Sequence, residues 1–392
     1  MPTKPQISVA PMEGVTTFPM RLWLQMVAAP EAMTSPFLRV TRVFPEEVLP
    51  LDFVPELLQL RGALPYSLVP QYICGEIEPF MRAAALLPDT IAPMIELNCG
   101  CPSPNSMGRY AGSGILREPE YFARAVEELC RELGPGRLAI KMRLGIESDS
   151  EFPHLLAALG KLPLGRLTVH GRTRTDGYRG LARWERVEEA ACSTQVPVHA
   201  SGDIWGLNSW ERLQHIAPHI QGAMVGRGLL RNPWIFTELK ESQPVAIEGM
   251  SFIQAIFAYV LLQEAFLREP EKLLQRVAKG RLGSLCAVDF SAWERVVVEL
   301  TSLCFGVPFL LLDSKSVEAM NISPVAFSRL RFLWSYLRSS LPEALASASL
   351  SRARNAKDFF QELLALCRGL GDSPVLLSHQ EHWDAKFSGL RG

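Results

Sequence analysis

The chain has 392 residues, of which 48% are hydrophobic, and it carries 40 Lys and Arg against 41 Asp and Glu. This composition is typical of a folded protein with a sizeable core and argues against an intrinsically disordered chain. Because the formal net charge is −1, a surface that binds nucleic acid has to be a local basic patch. The N-terminus has no apolar signal segment, and the apolar runs at 257–262 and 305–312 are shorter than the about 20 residues that cross a membrane. We expect a cytoplasmic protein without a membrane segment.

Eight short apolar runs, taken in chain order, predict the strands of a parallel sheet. Each run ends in polar or glycine-rich residues, as expected for strands whose two faces are both covered. The runs span residues 7–10, 32–37, 67–72, 94–97, 138–142, 167–169, 197–200 and 222–225. Helical patterns lie between most of them, for example at 118–133, where Gly134-Pro135-Gly136 ends the helix.

Strands that alternate with helices predict right-handed βαβ units, and eight such units close most economically into a (β/α)₈ TIM barrel. An open doubly wound sheet is the disfavoured alternative, because no Gly-x-Gly-x-x-Gly sequence follows the first strand. We therefore predict an α/β protein with a barrel over residues 1–245, a smaller all-α domain over 250–370 and a C-terminal tail over 371–392.

The predicted helical domain has a local excess of basic residues. Between residues 321 and 370, seven Lys and Arg face three acidic residues, which gives a net charge of +4. Phe327, Leu330, Trp334 and Leu337 recur at helical spacing and are predicted to be core residues, and the basic side chains lie off that stripe. The excess charge indicates either a nucleic-acid surface or an ordinary solvated helix face.

The eight cysteines include no Cys-x-x-Cys pair, and Cys99-Gly100-Cys101 lacks the second ligand pair of a structural zinc site. We predict reduced thiols and no metal site. Cys101 follows the fourth strand, where a protonated thiol can act as a general acid. Cys99 is the competing residue, and we expect it to face the barrel wall.

Polar residues follow seven of the predicted strands, and in a barrel these strand ends meet at one face. Gly202, Gly226 and Gly228 with Arg227 predict a phosphate site after strands seven and eight, unless the glycines only turn the chain. Inward-pointing cations need an anionic or polar partner. For Lys141 that partner is either the pyrimidine edge of a flavin or an internal salt bridge with Glu96.

The strand-end sequences resemble the tRNA-dihydrouridine synthase family. The resemblance rests on Ala10-Pro11-Met12-Glu13-Gly14-Val15, Phe37-Leu38-Arg39-Val40, Asn98-Cys99-Gly100-Cys101-Pro102-Ser103, Lys141-Met142-Arg143-Leu144-Gly145, His170-Gly171-Arg172-Thr173, Ser201-Gly202-Asp203-Ile204-Trp205 and Met224-Val225-Gly226-Arg227-Gly228. It covers the barrel and resumes weakly in the helical region. The sequences around Cys101, Tyr178 and Trp205 look most like the subgroup that acts on uridine 16 of the D-loop.

The resemblance implies an enzyme that uses FMN and NADPH to reduce uridine in tRNA. Reduced FMN delivers hydride to C6 of the uracil, and Cys101 gives a proton to C5. A base inside a stack cannot reach a flavin, so it has to be flipped out. The residues implied to hold FMN are Pro11, Met12, Glu13, Gln71, Lys141, His170, Ser201, Gly202, Asp203, Gly226 and Arg227. The residues implied to contact the substrate are Arg39, Asn98, Arg143, Arg329 and Arg331. No stable protein partner is implied.

Three features depart from the family pattern. Ser201 stands where the family usually has Asn, Pro104 replaces a common lysine, and residues from about 271 to 317 appear inserted. Two other functions remain alternatives: an FMN-dependent barrel oxidoreductase that acts on a small molecule, and a non-catalytic RNA-binding protein on a decayed barrel. The joint presence of Cys101, Lys141, Arg143 and His170 disfavours the second.

Overall fold

The computed structural model describes residues 5–43, 53–60, 66–102, 110–280, 282, 290–309, 312–371 and 373–377. Eight parallel strands form a closed barrel in chain order. They are β1 (Gln6–Val9), β2 (Ala32–Arg39), β3 (Ser67–Ile73), β4 (Ile95–Cys99), β5 (Leu138–Arg143), β6 (Arg166–His170), β7 (Val198–Ser201) and β8 (Gly222–Val225). The pairing of β1 with β8, in which Ile7 lies opposite Ala223, closes the sheet. The predicted barrel is confirmed, and every predicted strand is found close to its expected start.

Helices on the outside of the barrel connect the strands. They are α1 (Phe18–Ala28), α2 (Pro55–Gln59), α3 (Ile77–Ala85), α4 (Pro119–Leu133), α5 (Phe152–Leu159), α6 (Trp184–Ser193), α7 (Leu207–Ile216), α8 (Arg227–Arg231) and α9 (Ile235–Glu241). The helix α4 begins with Pro119, whose missing N–H would have no partner in the first turn. It ends at Gly134, whose φ of +91° favours glycine, as the sequence predicts.

The C-terminal part of the described chain is helical, as predicted. Its helices are α10 (Gly249–Arg268), α11 (Pro270–Ala278), α12 (Phe290–Phe305), α13 (Ser314–Glu318), α14 (Pro324–Leu337), α15 (Ala348–Arg352) and α16 (Ala356–Gly369). The predicted stripe of apolar residues on α14 is buried, and Arg331 and Arg338 are exposed. The helix α12 lies within the stretch that looked inserted and packs against α10, where the Cys304 thiol donates to the Leu261 carbonyl.

The helix α10 joins the two parts of the chain. It packs against α12, α14 and α16 and also against α1 of the barrel. The indole N–H of Trp23 donates to the carbonyl of Ala255 at 2.7 Å, and the Trp23 and Tyr259 rings meet edge to face at 5.0 Å. Apolar burial along this helix therefore stabilises both parts together.

The apolar run at 257–262 lies inside the longer helix α10. The apolar run at 257–262 looked too short to cross a membrane, but the helix that contains it has 20 residues. Among the described residues it is the one helix whose length and composition would allow a membrane crossing, and most of it is buried inside the protein. Because a core helix is apolar on every side, it shows the composition of a membrane helix without being one.

The last described residues of the chain pair with the segment that joins the barrel to the C-terminal helices. Strand β9 (Ala246–Ile247) pairs antiparallel with β10 (Val375–Leu376), so Val375 lies opposite Ile247. The first residues of the predicted tail are therefore ordered by pairing, and residues 378–392 lie outside the described chain.

Candidate active site

A cleft opens at the carboxyl ends of the barrel strands. The space between its walls, with the open mouth included, is about 540 Å³. It is lined by Ala10, Pro11, Met12, Lys141, His170, Tyr178, Ser201, Gly202, Asp203, Ile204, Trp205, Met224, Gly226, Arg227 and Gly228. All the residues predicted to hold a cofactor are in this set except Glu13 and Gln71. The polar residues that follow the predicted strands therefore come together in this cleft.

The ammonium group of Lys141 has no hydrogen-bond or ion-pair partner within the described part of the chain. The carboxylate of Glu96, the alternative partner considered from the sequence, is bound instead by Arg166 at 2.7 Å and by Gln71 at 2.6 Å. Burial lowers the pKa of Lys141 to about 8. The charge of Glu96 opposes this decrease in pKa, and the charges of Arg143 and Arg166 add to it. A partly desolvated cation without a partner in the protein is typical of a binding position for an anionic or polar ligand.

His170 lies at the end of β6 among four cations. Burial is the main cause that lowers its pKa well below the ordinary value, and Arg143, Lys141 and Arg172 add to the effect. The imidazole is therefore neutral at physiological pH. Its Nε2 lies 3.2 Å from Nη1 of Arg172. Because a guanidinium can only donate, Nε2 is assigned as the acceptor, and Nδ1 carries the proton.

Asp203 and Arg172 form a buried ion pair beside the cleft. Both carboxylate oxygens accept from Nη2 of Arg172, at 2.6 and 2.8 Å, and Oδ2 also accepts from the backbone N–H of Ala182. Arg227 lies 3.8 Å from the same carboxylate. Asp203 thus anchors the loop after β6 and holds two cations in place beside the cleft.

Two aromatic rings enclose the guanidinium of Arg227. The ring of Tyr178 lies 4.4 Å from its central carbon and the ring of Trp205 lies 4.9 Å away, and Arg231 stacks on Trp205 at 4.1 Å. Cation–π contacts of this kind hold an arginine in one orientation. The sequence did not identify Tyr178 and Trp205 as site residues by their own signal, because both lie in loops where no periodicity marks them.

The three predicted phosphate-site glycines have different environments. A Cβ on Gly226 would lie 3.6 Å from Ala10 and 3.9 Å from the Met12 sulfur, so this position leaves space at the cleft wall. Gly202 has a φ of +105°, which disfavours any other residue. A Cβ on Gly228 would meet the Ile204 carbonyl at 2.2 Å. Gly228 is therefore required for packing between the loops after β7 and β8.

A chain of hydrogen bonds crosses the barrel interior and ends at Cys101. Glu96 accepts from Arg166 and from Nε2 of Gln71, and Oε1 of Gln71 accepts from the Asn98 amide at 2.8 Å. The Asn98 oxygen then accepts the backbone N–H groups of Gly100 and Cys101 at 3.0 and 2.9 Å. Because a carboxylate only accepts, Glu96 fixes which way each amide points.

Cys101 is half-buried at the end of β4, outside the set of residues that line the cleft. Its carbonyl accepts the Ser113 hydroxyl at 2.8 Å and the Ser113 N–H at 3.2 Å, so its backbone is held on both sides. A thiolate at Cys101 would raise the pKa of both Lys141 and Arg143, which indicates that the sulfur is close to the cationic cleft. Cys99 is fully buried, and burial raises its pKa, so its thiol stays protonated in the core.

Arg143 braces two loops at the site. Its Nε donates to the Gly100 carbonyl at 2.8 Å, and its Nη1 donates to the carbonyls of Thr173 and Gly177 at 2.7 and 2.9 Å. Its central carbon lies 5.7 Å from the Tyr178 ring. These bonds use three of its five N–H groups, and the Nη2 hydrogens have no partner among the described residues.

The remaining predicted residues lie at the rim or in the interior. Gln71 is fully buried beneath the cleft, and Glu13 and Arg39 are exposed at the ends of β1 and β2. On α14, Arg331 is exposed, and Arg329 donates to the carbonyl of Gly14 in the loop after β1. Arg329 therefore ties the helical region to the cleft. Pro104 and Arg109 lie outside the described residues.

Comparisons with known proteins find relatives over most of the chain. Residues 8–277 match the family model described as dihydrouridine synthase. The protein named tRNA-dihydrouridine(16) synthase in Pseudomonas putida is 30% identical over 76% of this chain and 92% of that protein. The protein of the same name in Aquipseudomonas alcaligenes is 30% identical over 71% of this chain and 88% of that protein. Among solved structures, morphinone reductase aligns with 61% of this chain and 86% of its own at 11% identity, and the TM-score of 0.43 is too low to bear on function.

Proposed function

This chain belongs to the dihydrouridine synthase family, and we propose that it reduces a uridine of tRNA to 5,6-dihydrouridine, with FMN as cofactor and NADPH as reductant. The observation that carries the proposal is the Lys141 ammonium, which has no partner among the described residues and lies in a cationic cleft close to Cys101, whose backbone is held by hydrogen bonds. Because the similar proteins are named for position 16, we propose uridine 16 as the target.

The charges and hydrogen-bonding groups of the cleft suit FMN. Arg227, held between two aromatic rings, and the main chain at Gly202 and Gly226 would hold the phosphate. Lys141 would face the pyrimidine edge of the ring and supply the positive charge that this edge attracts. Ser201 and the neutral imidazole of His170 would add hydrogen bonds, and Met12 would pack against the ring.

When held by Lys141, Arg227 and the main chain at Gly202 and Gly226, FMN would supply the hydride-transfer chemistry, with NADPH as the reductant and C6 of the uracil as the acceptor. Cys101 would donate its thiol proton to C5 of the uracil and regain a proton from solvent. The Asn98 oxygen, by holding the N–H of Cys101, would keep the thiol at the mouth of the cleft. The free Nη2 group of Arg143 and the second amide hydrogen of Asn98 would bind uracil oxygens.

The substrate has to present a single base to this cleft. Extruding a stacked base costs a few kcal/mol, and phosphate contacts elsewhere offset that cost. Arg331 is exposed on the helix α14, and the exposed Arg338 follows its last residue. The helix α14 packs against α8 beside the cleft. We place the tRNA backbone along this surface.

The direct test uses the purified full chain with NADPH and tRNA that lacks dihydrouridine. We expect a yellow, flavin-containing protein and formation of dihydrouridine at position 16, mapped by mass spectrometry. A preparation that binds no flavin, or that oxidises NADPH with small enones and leaves tRNA unmodified, would contradict the proposal.

The affinity for FMN should fall as the pH rises through the lowered pKa of Lys141. That pKa is about 8, so the ammonium is mostly charged at pH 7 and mostly neutral at pH 9. We expect the Kd of the flavin-free protein for FMN, measured by fluorescence quenching, to rise about tenfold between these pH values. In Lys141→Met the Kd should be higher at pH 7 and flat with pH. The exposed Lys161→Met is the matched control and should titrate like the wild type.

The tRNA affinity should depend on Arg331 and Arg338. We expect the double variant Arg331→Gln with Arg338→Gln to bind tRNA more weakly and to reduce the salt slope by about 1 for each phosphate that is no longer neutralised. Arg329 is kept because it binds the Gly14 carbonyl, and its replacement would disturb the cleft. Arg131→Gln, an exposed change at the far end of α4, is the control. An unchanged salt slope in the double variant would place the RNA surface elsewhere.

A further inference from the structure

Three side chains that commonly bind metals meet at the end of the barrel opposite the cleft. Glu188 and Cys192 lie one turn apart on α6, near the end that leads into β7. His219 lies in the loop between α7 and β8. We call Glu188, Cys192 and His219 the Cys192 triad. In the described part of the chain no other group of three His, Cys, Asp or Glu side chains comes as close together.

The distances within the triad approach those of a zinc tetrahedron. Zinc binds sulfur at about 2.3 Å and imidazole nitrogen or carboxylate oxygen at about 2.0–2.1 Å, so tetrahedral edges are about 3.6 Å for S–N and 3.5 Å for S–O. The Cys192 sulfur lies 3.6 Å from Nδ1 of His219 and 3.4 Å from Oε1 of Glu188. The third edge is much shorter than in a zinc site, because a hydrogen bond joins His219 Nδ1 to Glu188 Oε1 at 2.5 Å. Replacing its proton by a metal ion would lengthen this edge by about 0.8 Å.

The surrounding hydrogen bonds hold two of the ligands in place. The second oxygen of Glu188 accepts the backbone N–H of His219 at 3.2 Å. The side chain of Gln221 donates to the His219 carbonyl at 2.7 Å and accepts the N–H of Val198 at 2.7 Å. Contacts of this kind orient metal ligands and raise metal affinity.

The ligand set selects the type of metal. One thiolate, one imidazole and one carboxylate suit zinc, whereas magnesium and calcium need oxygen ligands. Cys192 is exposed and the His219 side chain is 68% exposed, so solvent can reach the fourth coordination position. Spacing along the chain gave no sign of this site, because 27 residues separate Cys192 from His219.

We infer that the Cys192 triad binds one zinc ion, which joins α6 to the loop before β8 and takes water as its fourth ligand. The thiol proton of Cys192 passes to solvent when the ion binds. Because the ion binds the folded chain and bridges two elements, it should stabilise the fold.

The test uses the full chain, treated with EDTA and titrated with ZnCl₂ in a calorimeter. We expect one zinc per chain, a rise in Tm and at least tenfold slower alkylation of Cys192, read by peptide mass spectrometry. Cys192→Ser and His219→Ala should each weaken zinc binding at least tenfold and remove the rise in Tm, and His219→Ala should also remove the protection of Cys192. The control is His154→Ala, since His154 is exposed and close to Glu120 at 3.9 Å, with no cysteine in the contact.

Two results would overturn the inference: alkylation of Cys192 that zinc does not slow, or His219→Ala binding zinc as tightly as the wild type and His154→Ala. The triad is remote from the cleft, so Cys192→Ser should keep flavin content and dihydrouridine formation whatever the outcome of the zinc titration.

Discussion

Cys101→Ala should form dihydrouridine at least about 100-fold more slowly than the wild type, since general acid catalysis typically contributes 10²–10⁴-fold. The side chain is small and half-buried, and its backbone contacts to Asn98 and Ser113 survive the change. Flavin content and oxidation of NADPH in the absence of tRNA should therefore remain near wild type. Single-turnover reaction of the reduced protein with tRNA, quantified by mass spectrometry, measures the decrease directly.

The matched control for this experiment is Cys99→Ala, two residues earlier on β4. Cys99 is fully buried, so its replacement leaves a small cavity and should lower thermal stability. It should not slow proton donation, because a thiol in the core cannot reach the substrate. Dihydrouridine formation at the wild-type rate by Cys101→Ala would remove the thiol from the mechanism.

Glu96→Gln should produce the largest loss of stability among single changes near the site. The side chain of Glu96 is fully buried and that of its partner Arg166 is 5% exposed. Removing one member of a buried ion pair typically costs about 3–5 kcal/mol, because the other charge stays buried without compensation. Urea unfolding followed by circular dichroism should show a lower midpoint, and the exposed pair variant Glu78→Gln should shift it little.

A second variant distinguishes the stability cost of an unpaired buried charge from the effect of the hydrogen-bond chain on the position of Cys101. Replacing both members, as Glu96→Leu with Arg166→Met, should recover most of the stability, because buried pairs exchanged for apolar residues are often neutral. It should not recover dihydrouridine formation, since Gln71 then lacks the acceptor that orients it and Asn98. Full activity in the double variant would mean that the hydrogen-bond chain does not position Cys101.

The barrel could be predicted because its strands are buried on both faces, which leaves short apolar runs that stand out in the sequence. Lys141, His170 and Arg227 could be placed together because the carboxyl ends of parallel strands share one face. The pairing of Glu96 with Arg166 could not be predicted, since it joins β4 to β6 across the barrel and several cations were equally available.

Other features escaped prediction for physical reasons. Tyr178 and Trp205 lie in loops, where no repeating pattern marks a side chain that stacks on an arginine. The bounds of α10 could not be derived from the sequence, because a helix buried on all sides has no polar face to show its period. Gly228 was expected at a phosphate and lines the cleft, but the sequence did not show that it also packs against the carbonyl of Ile204.

The indole of Trp23 against α10 has a consequence for recognition. An apolar interface between the barrel and the helical region disfavours hinge motion between them. The distance between Arg331 and Lys141 is thus fixed. In the tRNA complex that we propose, the polynucleotide rather than the polypeptide would then have to bend to bring one nucleotide to the cleft.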